Sequence, residues 1–242
     1  MAYPCGRENG LAPIQELYRL PLASNELAFI YLGFAGIIVK VNERFFAFDV
    51  GKDCIRQEEI EALESLDLQF YSHTHWDHWD LSVTMSIVEI TGAPVVADPS
   101  VVDEMKTNLS PDLLKSATPN HSLTLKNVAI SAVPGIHPRP ITLFHVTFDN
   151  FRLFHGADSG YVPLTGHPAE IAFIPTGTPS PSCSPKNALK MALDVKSQVV
   201  VGMHGNPKQL RDFRDLLHKK SPQTRIILPK PCELVKVQLA DA

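Results

Sequence analysis

The order of elements in the sequence predicts an α+β protein: two mixed β-sheets face to face with helices on the outside. Three observations lead there. Strand clusters and strand–helix units occur in both halves of the chain. A length of 242 residues, 44% of them hydrophobic and 20% charged, suits one continuous core or two tightly fused αβ halves, with the boundary expected near residues 115–125. The chain carries no uncharged apolar run long enough to span a bilayer, and its first residues, MAYPCGRENG, place no basic segment before an apolar stretch. The expectation is a soluble, unsecreted, cytoplasmic protein with no membrane span, compatible with a homo-oligomer.

Residues 27–50, LAFIYLGFAGIIVKVNERFFAFDV, are rich in β-branched and aromatic residues and are broken at Gly33, Gly36 and Asn42-Glu43, which predicts three short strands. QEEIEALESL (57–66) has Ile60, Leu63 and Leu66 at helical spacing behind an acidic first turn, so it reads as a helix. LQFYS (68–72) is a buried strand that ends abruptly at a run of polar residues. Asp80 is placed to cap a helix running to about Thr91, and PVVAD (94–98) is the next strand. HSLTLK, VAISAVP, ITLFHVTFD and FRLFHGAD then read as closely spaced strands with turns at Lys126-Asn127 and Asn150. IAFIP (171–175), a helix over about 185–195, QVVVGMHG (198–205), a helix over about 207–219 and TRIILP (224–229) alternate strand with helix.

A net charge of -4 supplies no basic stripe for a dedicated nucleic-acid surface. Cys5, Cys54, Cys183 and Cys232 are far apart, without a C-x-x-C pair, and are read as free thiols in a reducing compartment, Cys183 as an inert loop thiol.

The polar run is YSHTHWDHWD, Tyr71 to Asp80. On extended backbone alternate residues point the same way, so His73 and His75 can reach one metal ion together. Asp77 and His78 lie just beyond, free to face a second. Imidazole and carboxylate suit zinc in hydrolytic sites, and manganese or iron also accept them. Four ligands are too few for two ions. His137 in SAVPGIHP, Asp158 in LFHGADSG and His204 in VVVGMHG each follow an apolar strand and stand near glycine, where binding groups collect on a rigid scaffold.

The motif H-x-H-x-D-H, followed by single His, Asp and His residues after later strands, resembles the metallo-β-lactamase-fold hydrolases over nearly the whole chain. FFAFDVG, the YSHTHWDHWD stretch, HGADSG and the VVVGMHG-plus-helix segment look most like the ascorbate-6-phosphate lactonase and phospholipase-D-type branch. The resemblance implies a four-layer αβ/βα sandwich and a metal-dependent hydrolase with two divalent ions per chain, zinc first among them. It implies that His73, His75 and His137 hold one ion, that Asp77, His78 and His204 hold the other, and that Asp158 bridges them. Asp49 matches the aspartate that supports the ligands from behind. Metal-bound hydroxide would then attack a small anionic ester, lactone or phosphodiester, with Asp77, His78 and Asp158 at the reacting centre.

Other residues keep two readings. Asp80 is a helix cap or a further support for the ligands. Trp76 and Trp79 brace the loop or wall a pocket. Arg139 is a surface charge or an anion clamp. His145 and His155 are structural or touch substrate, and His121, His167 and His218 are structural. Two competing functions are a nuclease of the same superfamily, disfavoured by the missing basic stripe, and a metal-binding protein without catalysis.

Overall fold

The computed structural model describes residues 11–240. The chain forms two compact units, one running to Ser116 and resuming at Lys230, the other spanning Ala117–Pro229. The first contains helix α1 (Leu11–Arg19), strands β1 (Glu26–Gly33), β2 (Gly36–Val41) and β3 (Arg44–Phe48), helix α2 (Gln57–Glu61), strand β4 (Leu68–Tyr71), helix α3 (Leu81–Thr91), strand β5 (Val95–Ala97), helix α4 (Pro99–Met105) and strand β6 (Leu114–Ser116). The second contains β7 (Ser122–Leu125), β8 (Val128–Pro134), β9 (Thr142–Phe148), β10 (Phe151–His155), β11 (Ile171–Pro175), α5 (Pro185–Val195), β12 (Val199–Met203), α6 (Pro207–Lys220) and β13 (Arg225–Ile227). Strand β14 (Glu233–Gln238) returns the chain to the first unit.

Each unit holds one mixed, seven-stranded sheet. In the first, β14, β1, β2 and β3 pair antiparallel, and β3 to β6 continue in parallel. In the second, β7 to β10 are antiparallel and β10 to β13 parallel. Strands β3 and β10 therefore occupy equivalent places, where the pairing changes direction. Asp49 directly follows one and Asp158 closely follows the other. Polar residues beyond the carboxyl ends of parallel strands are where α/β sheets usually build sites.

Burial explains why the strands read so clearly. β1, β2 and β4 are almost wholly buried, so their sequences are continuous apolar runs rather than alternations. The one charged residue inside β2, Lys40, is 2% exposed, and its Nζ donates to the Tyr18 and Leu20 carbonyls at 3.0 and 2.9 Å. It thereby satisfies carbonyls at the end of α1 that the helix leaves open. In the second unit Leu143, Phe154, Ile174, Met191 and Phe213 belong to one apolar cluster that includes residues of α5 and α6.

The structure corrects two expectations. The helix expected over 57–66 stops at Glu61, and Leu63 turns back to donate to the Ile60 carbonyl at 3.0 Å. Leu63 and Leu66 are still buried, at 4% and 5% exposure, but from irregular chain, with the Ser65 carbonyl held by the Tyr18 hydroxyl at 2.7 Å. Apolar spacing signalled burial there, not helix. Second, Cys54 and Cys183 are free but Cys232 is disulfide-bonded, and Cys5 lies outside the described residues. Cys232 donates its N–H to the Tyr31 carbonyl in β1, and sheet pairing brings together strands from opposite ends of the chain, so separation in sequence was a poor guide. The cytoplasmic reading loses the support it drew from free thiols. Among the described residues no helix is long and apolar enough to cross a membrane.

Candidate metal centre

The first unit supplies four of the expected ligands and their support. Asp49 leaves β3 in the left-handed region, φ 46°, and is fully buried. Its Oδ1 accepts the Ser72 N–H at 2.8 Å, and its Oδ2 accepts the Ser72 hydroxyl at 2.7 Å and faces His78 Nδ1 at 2.8 Å. A carboxylate only accepts, so His78 carries its proton on Nδ1 and turns the Nε2 lone pair outward. That Nε2 lies 3.7 Å from Asp77 Oδ2.

Ser72 repeats the device one step away. Its proton goes to Asp49, so its oxygen accepts from His73 Nδ1 at 3.0 Å, which places the lone pair of that ring on Nε2. One carboxylate thus orients two imidazoles, one directly and one through a hydroxyl. The His73 ring lies 4.6 Å from that of His75 and 4.2 Å from that of His78. The loop is braced from below: a methyl group on Gly51 would stand 2.8 Å from the Trp76 carbonyl oxygen and 3.0 Å from His78 N. Glycine is required there by close approach. Cys54 points its thiol at the Asp77 carbonyl, 3.7 Å away, and burial pushes its pKa up to about 12, so it is a packed donor and no nucleophile.

The second unit supplies the other three. His137 follows β8 on a loop tied to the segment after β10: Ile136 donates to Ser159 Oγ at 2.8 Å, and Gly160 donates to the Ile136 carbonyl at 2.8 Å. Ala157 has φ 49° and turns the chain into Asp158. Asp158 Oδ2 lies 3.1 Å from His137 Nε2 and 4.0 Å from His204 Nε2. His204, also left-handed at φ 49°, faces the Gly177 carbonyl with Nδ1 at 3.2 Å, which places its lone pair on Nε2. Metal–ligand bonds of about 2.1 Å at tetrahedral angles separate neighbouring ligand atoms by roughly 3.4 Å. The two contacts of Asp158 lie on either side of that value. The backbone of Asp158 is fixed by the loop before α5, whose Ser180 hydroxyl and Cys183 thiol donate to its carbonyl at 2.7 and 2.8 Å.

The remaining candidates separate. Asp80 caps α3, accepting from Val83 N at 3.0 Å and Ser82 Oγ at 2.6 Å. Burial works to raise its pKa, and these hydrogen bonds outweigh burial and lower it. Trp79 is 8% exposed in a cluster with Tyr71, Val88, Val95 and Met105, and its Nε1 finds no hydrogen-bond partner. Trp76 is 56% exposed and stands edge-on to Phe34, ring centres 5.5 Å apart. Arg139 is exposed, and its N–H donates to His137 Nδ1 at 3.3 Å. His145 is occupied in mid-strand, with Nε2 on the Pro168 carbonyl at 2.9 Å and its ring 5.4 Å from His167; burial lowers its pKa. His155 is buried beside the Phe173 ring.

Sequence reading missed Ser72, Gly51, Ser180 and Gly177. None carries metal chemistry by type, and only Ser72, next to the first histidine, had a position that advertised a role.

A family model described as a β-lactamase superfamily domain matches residues 46–205, from β3 to the residue after His204. The chain belongs to that family. Its fold is that of Igni18, a metallo hydrolase from Ignicoccus hospitalis, with a TM-score of 0.73 at 19% identity over 88% of this chain and 99% of that one. CmlA, a diiron β-hydroxylase from Streptomyces venezuelae, is similar with a TM-score of 0.64 at 14% identity, over 91% of this chain and 55% of that one. An uncharacterised protein of Mycobacterium tuberculosis is 23% identical over 158 residues, which are 57% of this chain and 42% of the relative's length. This chain therefore matches under half of that relative. The superfamily fold is shared by proteins of different chemistry, so the reaction has to be argued from the site.

Proposed function

We propose that the protein is a metal-dependent hydrolase whose two half-sets of ligands form one dinuclear centre acting on a small anionic ester, lactone or phosphodiester. His73, His75, His137 and Asp158 would hold one ion, and Asp77, His78 and His204 would hold the other; Asp158, whose Oδ2 lies 4.0 Å from His204 Nε2, would also serve the second. The observation that carries the reading is the fixed tautomers. His73, His78 and His204 each have Nδ1 engaged with Ser72, Asp49 or the Gly177 carbonyl, so each keeps Nε2 as a donor lone pair. Buried histidines kept only for packing have no need of that shared orientation; His137, whose Nδ1 accepts the Arg139 N–H, would have to give up its Nε2 proton to join them. The donor set fits zinc, and manganese or iron also accept it.

Two divalent ions held there would acidify a water and polarise a carbonyl or phosphoryl oxygen. The chain's own groups do the positioning. Asp49 and Ser72 hold the imidazoles rigid, Ser180 and Cys183 hold the peptide of Asp158, and burial keeps bulk water from most of these groups. Asp77 and Asp158 bring two negative charges against four positive ones, so the centre stays positive and favours an anion. The ascorbate-phosphate lactonase and phospholipase-D-type branch is the placement within the family that FFAFDVG and HGADSG support. A nuclease finds no support in a net charge of -4.

The test is metal analysis with a substrate screen. Purified protein should carry close to two ions per chain and hydrolyse bis(p-nitrophenyl) phosphate, a sugar-phosphate lactone or a thioester with dioxygen excluded. Asp158→Ala should abolish turnover. A folded protein that takes up no metal, or an Asp158→Ala variant of full activity, contradicts the proposal.

A further inference from the structure

Large apolar side chains exposed to water are few among the described residues: Trp76, Ile90, Ile136 and Leu193. Ile90 and Leu193 lie on helices, as scattered surface residues often do. The other two are immediate chain neighbours of proposed ligands. Trp76 stands between His75 and Asp77, and Ile136 precedes His137; each is 56% exposed.

Neither is loosely held. Trp76 rests edge-on against Phe34, whose carbonyl accepts the Tyr31 hydroxyl at 3.0 Å, and the Trp76 carbonyl lies over Gly51. Ile136 is fixed through both its N–H and its carbonyl, to Ser159 and Gly160. Trp79, three residues beyond Trp76, is buried, so burial was available on the same loop. An exposed indole packed on Phe34 and set in the chain between two proposed ligands offers a surface for an apolar group attached to an anion.

We infer that Trp76, backed by Phe34, is a specificity-determining residue, and that the substrate carries an alkyl or aryl group next to its anionic or scissile group. Ile136 adds apolar surface beside His137 in its own unit. The inference rests on the dinuclear reading above and names the substrate class for that site.

The experiment is calorimetric titration of the zinc-loaded protein with n-alkylphosphonates from methyl to octyl. The phosphonate reports the metal centre and the chain length reports the wall. A fully buried methylene is worth up to about fourfold in affinity, so a rise of roughly two- to fourfold per methylene over the first several carbons is expected. Trp76→Ala should flatten that slope to below about 1.5-fold per methylene with two ions still bound, and Trp76→Phe should restore most of it. Binding of methylphosphonate with no dependence on chain length in the unaltered protein overturns the inference and leaves the metal centre standing. No binding of any phosphonate sinks the metal-centre reading and this inference together. If Trp76→Ala leaves the slope intact and changes only self-association in sedimentation, the indole is a contact between copies and the inference fails.

Discussion

Replacing Asp49 with asparagine tests whether one buried carboxylate orients the ligands. Three donors converge on Asp49: the Ser72 N–H, the Ser72 hydroxyl and His78 Nδ1, at 2.7 to 2.8 Å. An amide offers one acceptor oxygen and two N–H groups of its own, so whichever way the new side chain turns, at least one donor faces another donor. His78 can relieve the conflict by moving its proton to Nε2, which removes the lone pair needed for a metal. Losing such a support typically costs 10- to 100-fold in metal affinity, about 1.4 to 2.7 kcal/mol. The assay is competitive titration against a chelating dye, with far-UV circular dichroism to confirm that the Asp49→Asn variant folds. Weakening should be largest for the ion that His78 serves and smaller for the one served by His73, which feels Asp49 only through Ser72. A folded Asp49→Asn variant whose two dissociation constants both stay within about threefold of the parent, well short of the 10-fold minimum, would refute the reasoning.

Two further outcomes follow from buried groups outside the ligand set. Glu59 is 1% exposed with Oε1 unpartnered, and burial raises its pKa from 4.5 to about 7. The folded state therefore holds a proton that the unfolded chain releases, so this residue's contribution is intact below pH 4.5 and is lost as pH rises to about 7. Glu59→Gln should flatten the melting temperature across that window, and an unchanged pH profile in the variant would contradict the assignment. Trp79→Ala removes a packed indole and should cost about 3 to 5 kcal/mol in denaturant unfolding. Its slope of phosphonate affinity with chain length should match the parent's, and an altered slope would move the wall from Trp76 to Trp79.

Much of this was legible because the chemistry is carried by residue type. Histidine and aspartate at strand ends stand out in any sequence, and the strand that delivers them, β4, is buried on both faces and reads as an apolar run. What escaped was whatever acts through geometry alone. Ser72 matters because it lies between Asp49 and His73, a relation set by the pairing of β3 with β4. Gly51 matters because the ligand loop crosses over it. Helix α1, helix α4 and strands β6 and β14 went unforeseen. β14 pairs with β1 across some two hundred residues of chain, and no local pattern encodes such a partner. The two tryptophans are alike in sequence and opposite in the structure, at 56% and 8% exposure, because only Trp79 falls over the apolar cluster of Tyr71 and Val95.

The most direct test of the dinuclear centre is anomalous diffraction from crystals of the protein grown with zinc. The account predicts two peaks per chain, each about 2.1 Å from its nitrogen and oxygen ligands: one among His73, His75 and His137, the other among Asp77, His78 and His204, with Asp158 touching both. A single peak, or two that leave Asp158 uncoordinated, would contradict it.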